Sequence, residues 1–192
     1  MMGGMSRWEP NARGRLMKAA LELYVERGFE QTTVAEIAKR AGLTERTFFR
    51  YFTDKREVLF WGGEALRELL VEAVAAAPDA ATPIEAIAAA LAAAGASFDD
   101  RREGSRRRQS VIVANPELQE RELIKLASLA AAMAEALRLR GVTDLTARLA
   151  AEAGIAVFRI AFERWIVETD DQDLSQHIRE SLDELKAVTA GA

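Results

Sequence analysis

The sequence predicts an all-α protein. Alanine accounts for 37 of the 192 residues, whereas glycine and proline contribute 12 and 4. Alanine has the highest helix propensity, and the β-branched and aromatic residues that favour strands are few. Apolar residues also recur at spacings of three and four along most of the chain, as on one face of a helix. These observations predict about nine helices around a buried core.

Charge is distributed unevenly along the chain. Residues 1–56 carry 11 lysines and arginines against 7 acidic residues, a net charge of +4. Residues 57–192 carry 15 against 23, a net charge of −8. The alternative is random scatter, but such asymmetry favours one end that faces an anionic partner. We therefore predict a small basic domain over residues 1–56 and a larger acidic domain over residues 57–192.

The composition excludes several kinds of chemistry. The chain has no cysteine and a single histidine, His177, so thiolate nucleophiles, disulfides and paired histidine ligands are ruled out. No carboxylate dyad or phosphate-binding loop is evident either, and we expect no enzyme, metal or cofactor. His177 is expected to have a structural role at an interface.

The sequence shows no sign of export or membrane insertion. Residues 1–10 lack the apolar segment of a signal peptide. The most apolar run, residues 84–96, is shorter than the roughly 20 residues that cross a bilayer. We expect a cytoplasmic protein without a membrane partner.

Capping signals divide the basic domain into three helices. The first runs over about residues 11–27 and ends at Gly28, which can adopt the left-handed conformation that follows a helix. Thr33 begins a Thr-x-x-Glu capping box for a second helix of about eight residues. Thr44 caps a third, over about residues 45–52.

The second and third helices have the spacing of a helix-turn-helix. About three residues separate them, and Gly42 can make the turn. In such motifs the N-terminal part of the second helix enters the major groove, and here it carries Glu45, Arg46 and Thr47. Arg46 can bond guanine O6 and N7, while glutamate can accept from cytosine N4 and threonine can contact a thymine methyl group or a phosphate.

Three further residues suit contacts to the phosphate backbone. Thr33, Tyr51 and Lys55 offer hydroxyl, phenol and ammonium groups close to predicted helix ends. The alternative for this region is that its aromatic residues form the core of an ordinary bundle, as we expect for Phe48 and Phe52.

The run TTVAEIAKRAGLTERTFFRYFTDKREVLF, residues 32–60, resembles the DNA-binding region of TetR-type transcriptional regulators, together with the preceding ERGFEQ. Its TFFRYF and DKREVLF segments resemble actinobacterial members. The resemblance implies base contacts by Glu45, Arg46 and Thr47 and phosphate contacts by Thr33, Phe49, Tyr51 and Lys55. Phe49 stands where tyrosine is frequent and cannot donate a hydrogen bond. For the rest of the chain, the resemblance implies a helical domain that binds a ligand and forms a homodimer.

Further capping signals predict six helices after the basic domain. Thr53 is predicted to cap the first, which runs to Ala77 with a bend or close packing at Gly62-Gly63. The remaining five are predicted at about residues 82–98, 99–114, 115–140, from 143 to about 167, and from 174 to beyond 185.

Two sets of apolar residues are predicted to serve the ligand and the dimer. Those that could surround a small hydrophobic effector are Leu66, Leu70, Phe98, Leu126, Met133 and Phe158. Those that could form a contact between two copies are Ala151, Gly154, Ile155, Phe162, Trp165, Leu174, Ile178, Leu182 and Leu185. The alternative for the second set is burial within one subunit.

An arginine-rich segment could bind an anion or form a solvated helix face. Its members are Arg101, Arg102, Arg106, Arg107 and Arg108. Asp99, Asp100 and Glu103 lie close enough in sequence to pair with them, which favours the solvated face.

The leading functional prediction is a homodimeric regulator that binds double-stranded operator DNA, acts as a repressor and releases the operator when a small hydrophobic molecule binds. The alternative is a helical ligand-binding or interaction protein that does not bind an operator.

Overall fold

The computed structural model describes residues 11–98, 100–169 and 171–190, and the described residues contain ten α-helices and no strand. The all-α prediction is confirmed. The helices are α1 Ala12–Arg27, α2 Val34–Arg40, α3 Glu45–Tyr51, α4 Glu57–Phe60, α5 Gly63–Ala76, α6 Pro83–Ala96, α7 Arg102–Val113, α8 Pro116–Leu139, α9 Asp144–Val167 and α10 Leu174–Ala190.

The chain divides into two compact units. The described part of the first comprises residues 11–61 and 107–115, and that of the second comprises residues 62–106 and 116–190, without the two undescribed positions. The boundary predicted between residues 56 and 57 falls within the first unit.

In the first unit, α1 packs against α2, α3 and α4. The Asn11 side chain caps α1 by accepting from the backbone N–H of Gly14, at 3.0 Å. Gly28 ends the helix with a φ of 89°, and the Phe29 ring then contacts the Tyr24 ring edge-on, with centroids 5.1 Å apart. The buried core of this unit includes Leu16, Leu23, Phe29, Ile37, Phe48 and Phe52.

Helix α4 begins at Glu57 with Arg56 as its N-cap and without a side-chain cap bond, so the prediction of Thr53 as the cap is wrong. The Asp54 side chain instead holds the turn that leads into α4. Asp54 Oδ1 accepts from the backbone N–H groups of Arg56 at 2.8 Å and Glu57 at 3.1 Å. A carboxylate satisfies two N–H groups at once and also complements the positive end of the helix.

The single helix predicted up to Ala77 is interrupted near Gly62-Gly63. Helix α4 ends at Phe60 and α5 begins at Gly63, so the chain has two helices where one was predicted. Close packing is not the cause of the interruption, because a Cβ built on either glycine would meet no atom within 4 Å. The low helix propensity of two successive glycines is a sufficient physical reason.

The second unit is a bundle of α5, α6, α8, α9 and α10 around one apolar core. Helix α6 begins with a capping box in which the Thr82 N–H donates to Glu85 Oε2 at 2.8 Å. Helices approach closely where glycine lies in α6: a Cβ at Gly95 would be 2.7 Å from Ser175 Oγ on α10.

The arginines of α7 have a role that the sequence did not indicate. In the second unit, Arg102 Nε donates to the carbonyl of Trp165, and Arg106 Nε to that of Ile166, each at 2.6 Å. These carbonyls lie in the last turn of α9, where a positive charge complements the helix dipole. The predicted pairing with acidic neighbours is found for Arg106 and Glu103, 3.6 Å apart, whereas Asp99 lies outside the described residues.

The C-terminal part of the same helix contributes to the first unit. There Arg108 Nε donates to the carbonyl of Leu59 at 2.6 Å, and its guanidinium lies 5.1 Å from the centroid of the Phe60 ring. Val111 and Ile112 are buried. This contact satisfies a carbonyl of the short helix α4.

Candidate DNA-binding surface

A Schellman turn joins α2 to α3. Gly42 has a φ of 67°, and its N–H donates to the carbonyl of Lys39 at 3.0 Å. The N–H of Leu43 donates to the carbonyl of Ala38 at 2.8 Å, which completes the paired bonds of this motif. The predicted helix-turn-helix, with Gly42 at its turn, is therefore present.

Arg15 of α1 holds this turn from the other side. Its Nη2 donates to the carbonyl of Ala41 at 2.5 Å, and a Cβ built on Gly42 would lie 2.8 Å from the same nitrogen. Glycine suits position 42 because of its left-handed backbone conformation, and a Cβ there would make the guanidinium end of Arg15 shift. Local capping signals gave no indication of Arg15.

The predicted base-reading residues occupy the first turn of α3. Thr44 caps the helix by accepting from the N–H of Thr47 at 3.2 Å, and the two threonine hydroxyls lie 3.0 Å apart. Glu45 and Arg46 are exposed, and Thr47 is half-buried. The structure thus leaves the long charged side chains of this turn accessible to a partner.

Two aromatic side chains of α3 are exposed. Phe49 is 56% exposed and Tyr51 is 36% exposed, whereas Phe48 and Phe52 are buried as predicted. The Tyr51 hydroxyl accepts from Arg50 Nη2 at 3.1 Å. An exposed apolar ring beside the first turn of α3 suits packing against a sugar-phosphate backbone.

Thr33 caps α2 through the predicted box. Its N–H and hydroxyl each donate to Glu36 Oε2 at 2.9 Å, and the N–H of Glu36 donates back to the hydroxyl at 3.3 Å. The two bonds from Thr33, with Arg27 nearby, lower the pKa of Glu36. Both donors of Thr33 are therefore engaged by Glu36, and its phosphate contact stays a prediction.

Lys55 makes three bonds inside the first unit. Its Nζ donates to the carbonyls of Phe29 at 2.9 Å, Thr32 at 3.1 Å and Glu30 at 3.3 Å. The residue is half-buried. The predicted phosphate donor is thus directed at the loop that precedes α2.

Ion pairs join α2 of the helix-turn-helix to α1. Arg40 Nη2 lies 2.8 Å from Glu26 Oε2, and Arg40 Nη1 lies 3.6 Å from Glu22 Oε2. The hydrogen bond from Arg40 lowers the pKa of Glu26. Sequence reasoning missed these pairs because they join residues on different helices.

The six residues predicted to surround an effector lie in one apolar cluster of the second unit. Leu70, Met133 and Phe158 are buried in its core, and the other three, Leu66, Phe98 and Leu126, pack against that core partly buried. Phe98 contacts the rings of Phe158 and Phe162, with centroids 6.1 and 5.8 Å apart. Their role toward a ligand stays a prediction.

Most residues predicted for the dimer contact are part of the subunit's own core. Those that are buried are Ala151, Gly154, Ile155, Trp165, Leu174, Ile178 and Leu182, and Phe162 and Leu185 pack against them. Gly154 lies against Ile87 of α6, where a Cβ would overlap the isoleucine side chain. The alternative of burial within one subunit is therefore the one observed for these faces, because helical periodicity does not distinguish a core from an interface.

His177 is also an internal residue of the second unit. It is fully buried, and its Nδ1 lies 3.8 Å from Glu168 Oε2. No three histidine or acidic side chains among the described residues come together as a metal site. None of the described helices is long and apolar enough to span a membrane.

The fold and this surface define a protein of the helix-turn-helix class, and comparison with known proteins makes the class specific. Residues 16–60 match the family described as bacterial regulatory proteins, tetR family, and residues 81–190 match the family described as MftR C-terminal domain. The chain belongs to the TetR family of bacterial transcriptional regulators.

Individual relatives agree with this assignment. The chain is 28% identical to the regulator MftR of Mycobacterium tuberculosis over 151 residues, covering 77% of this chain and 76% of MftR. It is 37% identical to TcmR of Streptomyces glaucescens over 81 residues, covering 42% of this chain but only 36% of TcmR. Among solved structures, FadR from Bacillus subtilis, in complex with stearoyl-CoA, has a TM-score of 0.63 at 22% identity, covering 90% of this chain and 96% of FadR.

Proposed function

We propose that the protein is a cytoplasmic repressor that binds operator DNA as a homodimer and releases it when a small, largely apolar molecule binds. The observation that carries this proposal is the exposure of Glu45 and Arg46 on the first turn of α3. This helix is the second of the helix-turn-helix, whose turn is held by Gly42 and by the bond from Arg15. Membership of the TetR family supports it.

In the complex, α3 enters the major groove. Arg46 bonds a guanine edge bidentately, Glu45 accepts from cytosine and Thr47 contacts a thymine methyl group or a phosphate. Phe49 packs against the backbone, and the Tyr51 hydroxyl contacts a phosphate that fixes the orientation of the helix.

The dimer is proposed to form through the outward face of α9. Helix α9 is apolar on two sides, and the exposed side carries Leu145, Leu149, Ile160 and Val167, spaced so that they share one face. Leu149 is 62% exposed and Ile160 is 48% exposed. Such an apolar face on a surface helix marks an interaction surface, and a second copy is the occupant that the family favours.

The effector is proposed to bind within the apolar cluster around Leu70, Met133 and Phe158. FadR, which shares the fold, was solved with stearoyl-CoA, a molecule with a long apolar chain. A ligand can release DNA only if it binds more tightly to a conformation that does not fit the operator.

Selection from a random-sequence duplex library tests operator binding and requires no genomic sequence. The proposal predicts enrichment of a palindrome whose half-sites lie about 34–36 Å apart, because two copies of α3 must reach successive major grooves. Absence of any enriched sequence would favour a helical ligand-binding protein without an operator.

The dimer face is tested with Ile160→Arg, and Leu139→Arg is the matched control at an exposed apolar residue of α8. We expect sedimentation to show a monomer for Ile160→Arg only, with a large loss of affinity for the selected duplex. A dimeric Ile160→Arg protein would contradict the proposed face.

The effector class is tested by adding stearoyl-CoA, and a free fatty acid in parallel, to the complex with the selected duplex. We expect an apolar-chain compound to release the DNA. If no such compound does so while the duplex is still bound selectively, the effector class is wrong and operator binding stands.

A further inference from the structure

Lys55 ties the segment after α3 to the loop that leads into α2. Its ammonium has three N–H donors, and the carbonyls of Phe29, Glu30 and Thr32 accept one each at 2.9–3.3 Å. The same nitrogen lies 4.3 Å from the centroid of the Phe29 ring, within the range of a cation–π contact. The donors of this lysine are thus fully engaged by its own chain.

The main chain of Lys55 is fixed as well. The hydroxyl of the buried Tyr24 donates to the Lys55 carbonyl at 2.6 Å. The Tyr24 ring also contacts Phe29, one of the residues whose carbonyl Lys55 holds. Helix α1 therefore holds the backbone of Lys55, and the loop between α1 and α2 holds its side chain.

The loop that Lys55 holds determines where α2 begins. Thr32 is buried, its hydroxyl donates to the carbonyl of Gly28 at 2.8 Å, and its own carbonyl accepts from Lys55. The next residue, Thr33, is the N-cap of α2. Because the turn at Gly42 joins α2 to α3, a shift of this loop moves the helix-turn-helix with it.

We propose that Lys55 is a positioning residue for operator binding, which holds the loop before α2 instead of donating to a DNA phosphate. The inference rests on the proposed operator binding. It replaces the phosphate contact that the family resemblance implied for this lysine.

Two substitutions separate the two roles. Lys55→Arg keeps the positive charge and would serve a phosphate at least as well, but a planar guanidinium cannot direct three donors from one nitrogen at three converging carbonyls. Lys55→Met keeps the length and removes charge and donors. Lys18→Met, at an exposed lysine of α1, is the control for loss of one charge from the same unit.

Binding is measured with the full-length proteins by fluorescence anisotropy on the duplex that the wild type selects from the random library. Circular dichroism and urea titration are used to choose an assay temperature at which every variant is folded. A loss of stability alone then does not lower the measured affinity. We expect Lys55→Arg and Lys55→Met to bind at least about tenfold more weakly, equivalent to about 1.4 kcal/mol, and Lys18→Met to bind nearly as the wild type does.

The salt dependence gives the second readout. If Lys55 of each subunit neutralised a phosphate, Lys55→Met would reduce the magnitude of the slope of log affinity against log salt by about 0.9 per subunit, or about 1.8 for the dimer. We expect the slope to stay at its wild-type value.

Wild-type affinity of Lys55→Arg, or a slope reduced in magnitude by about 1.8 in the Lys55→Met dimer, would overturn the inference. If neither variant folds, Tyr24→Phe is measured instead, because it removes the bond to the Lys55 carbonyl and keeps the aromatic ring. Weaker binding with an unchanged salt slope then supports the inference, and wild-type binding overturns it. If the wild type itself selects no sequence, the proposed function fails, and the inference fails with it.

Discussion

The hydroxyl of Tyr24 donates a 2.6 Å hydrogen bond to the carbonyl of Lys55, 31 residues further along the chain. Tyr24 lies on the buried face of α1, and Lys55 lies between α3 and α4. A single buried phenol thus joins the first helix to the segment that follows the helix-turn-helix. The bond also places the Lys55 side chain beside the carbonyls of the loop before α2.

Tyr24→Phe should destabilise the protein. The ring contact with Phe29 is kept, but a part-buried carbonyl loses its donor, which typically costs about 1–3 kcal/mol. Urea denaturation monitored by circular dichroism measures the loss. An unfolding free energy equal to that of the wild type would show that water replaces the phenol at this carbonyl.

Alkaline pH should destabilise the wild type more than Tyr24→Phe. Burial, and to a lesser extent the Asp54 carboxylate, raise the pKa of Tyr24. Because the folded state favours the neutral phenol, its contribution is complete below the unfolded pKa of about 10 and is lost as the pH rises through the folded value. Urea midpoints between about pH 9 and 11 provide the measurement, and parallel curves for the two proteins would contradict the role of Tyr24.

Substitutions at two kinds of glycine should have opposite effects. Gly42→Ala places a Cβ at a φ of 67° and 2.8 Å from Arg15, so we expect a loss of about 1–2 kcal/mol from the backbone alone. The double variant Gly62→Ala, Gly63→Ala meets no atom within 4 Å and should gain up to about 1 kcal/mol per site from helix propensity.

Thermal unfolding of the two proteins distinguishes these cases. A stabilised Gly42→Ala protein would show that the turn does not need the left-handed conformation. A destabilised double variant would show that the interruption between α4 and α5 has a structural requirement beyond low helix propensity.

Acid should weaken both capping boxes. Hydrogen bonds from the N–H and hydroxyl of Thr33 lower the pKa of Glu36, and those from Thr82 do the same for Glu85. Such groups stabilise the fold above their unfolded pKa, and this contribution is lost as the pH falls through the lower folded value.

The variants Glu36→Gln and Glu85→Gln keep an acceptor without the charge. Their urea midpoints should therefore fall less than those of the wild type between about pH 5 and 3. Glu120→Gln, at an exposed glutamate outside both boxes, is the control. Equal pH dependence in all four proteins would exclude a contribution from the boxes.

Local signals in the sequence were sufficient to predict most of the first unit. Thr33, Thr44 and the turn at Gly42 act on backbone groups within a few residues, and each was predicted where the structure has it. The prediction of Thr53 as a cap was wrong because Thr53 and Asp54 can both accept from backbone N–H groups, and only the geometry of the chain selects Asp54 for the turn before α4.

Contacts between distant residues could not be predicted in the same way. The Lys55 ammonium reaches carbonyls more than twenty residues away, and no local pattern distinguishes this from an exposed phosphate ligand. Likewise, Trp165 and Ile160 are both apolar residues of α9, but Trp165 is buried and Ile160 is exposed. The spacing of apolar residues reveals both faces without saying which one packs inside the subunit.

The measurement that tests the central claim most directly is the affinity of Arg46→Ala for the selected duplex and for duplexes mutated one base pair at a time. The control is Arg67→Ala, an exposed arginine of α5 paired with Glu64. We predict that Arg46→Ala loses about 1–3 kcal/mol of binding free energy and no longer discriminates at one guanine of each half-site, while the control binds as the wild type does. Unchanged affinity and unchanged discrimination at every position would contradict base reading by the exposed turn of α3.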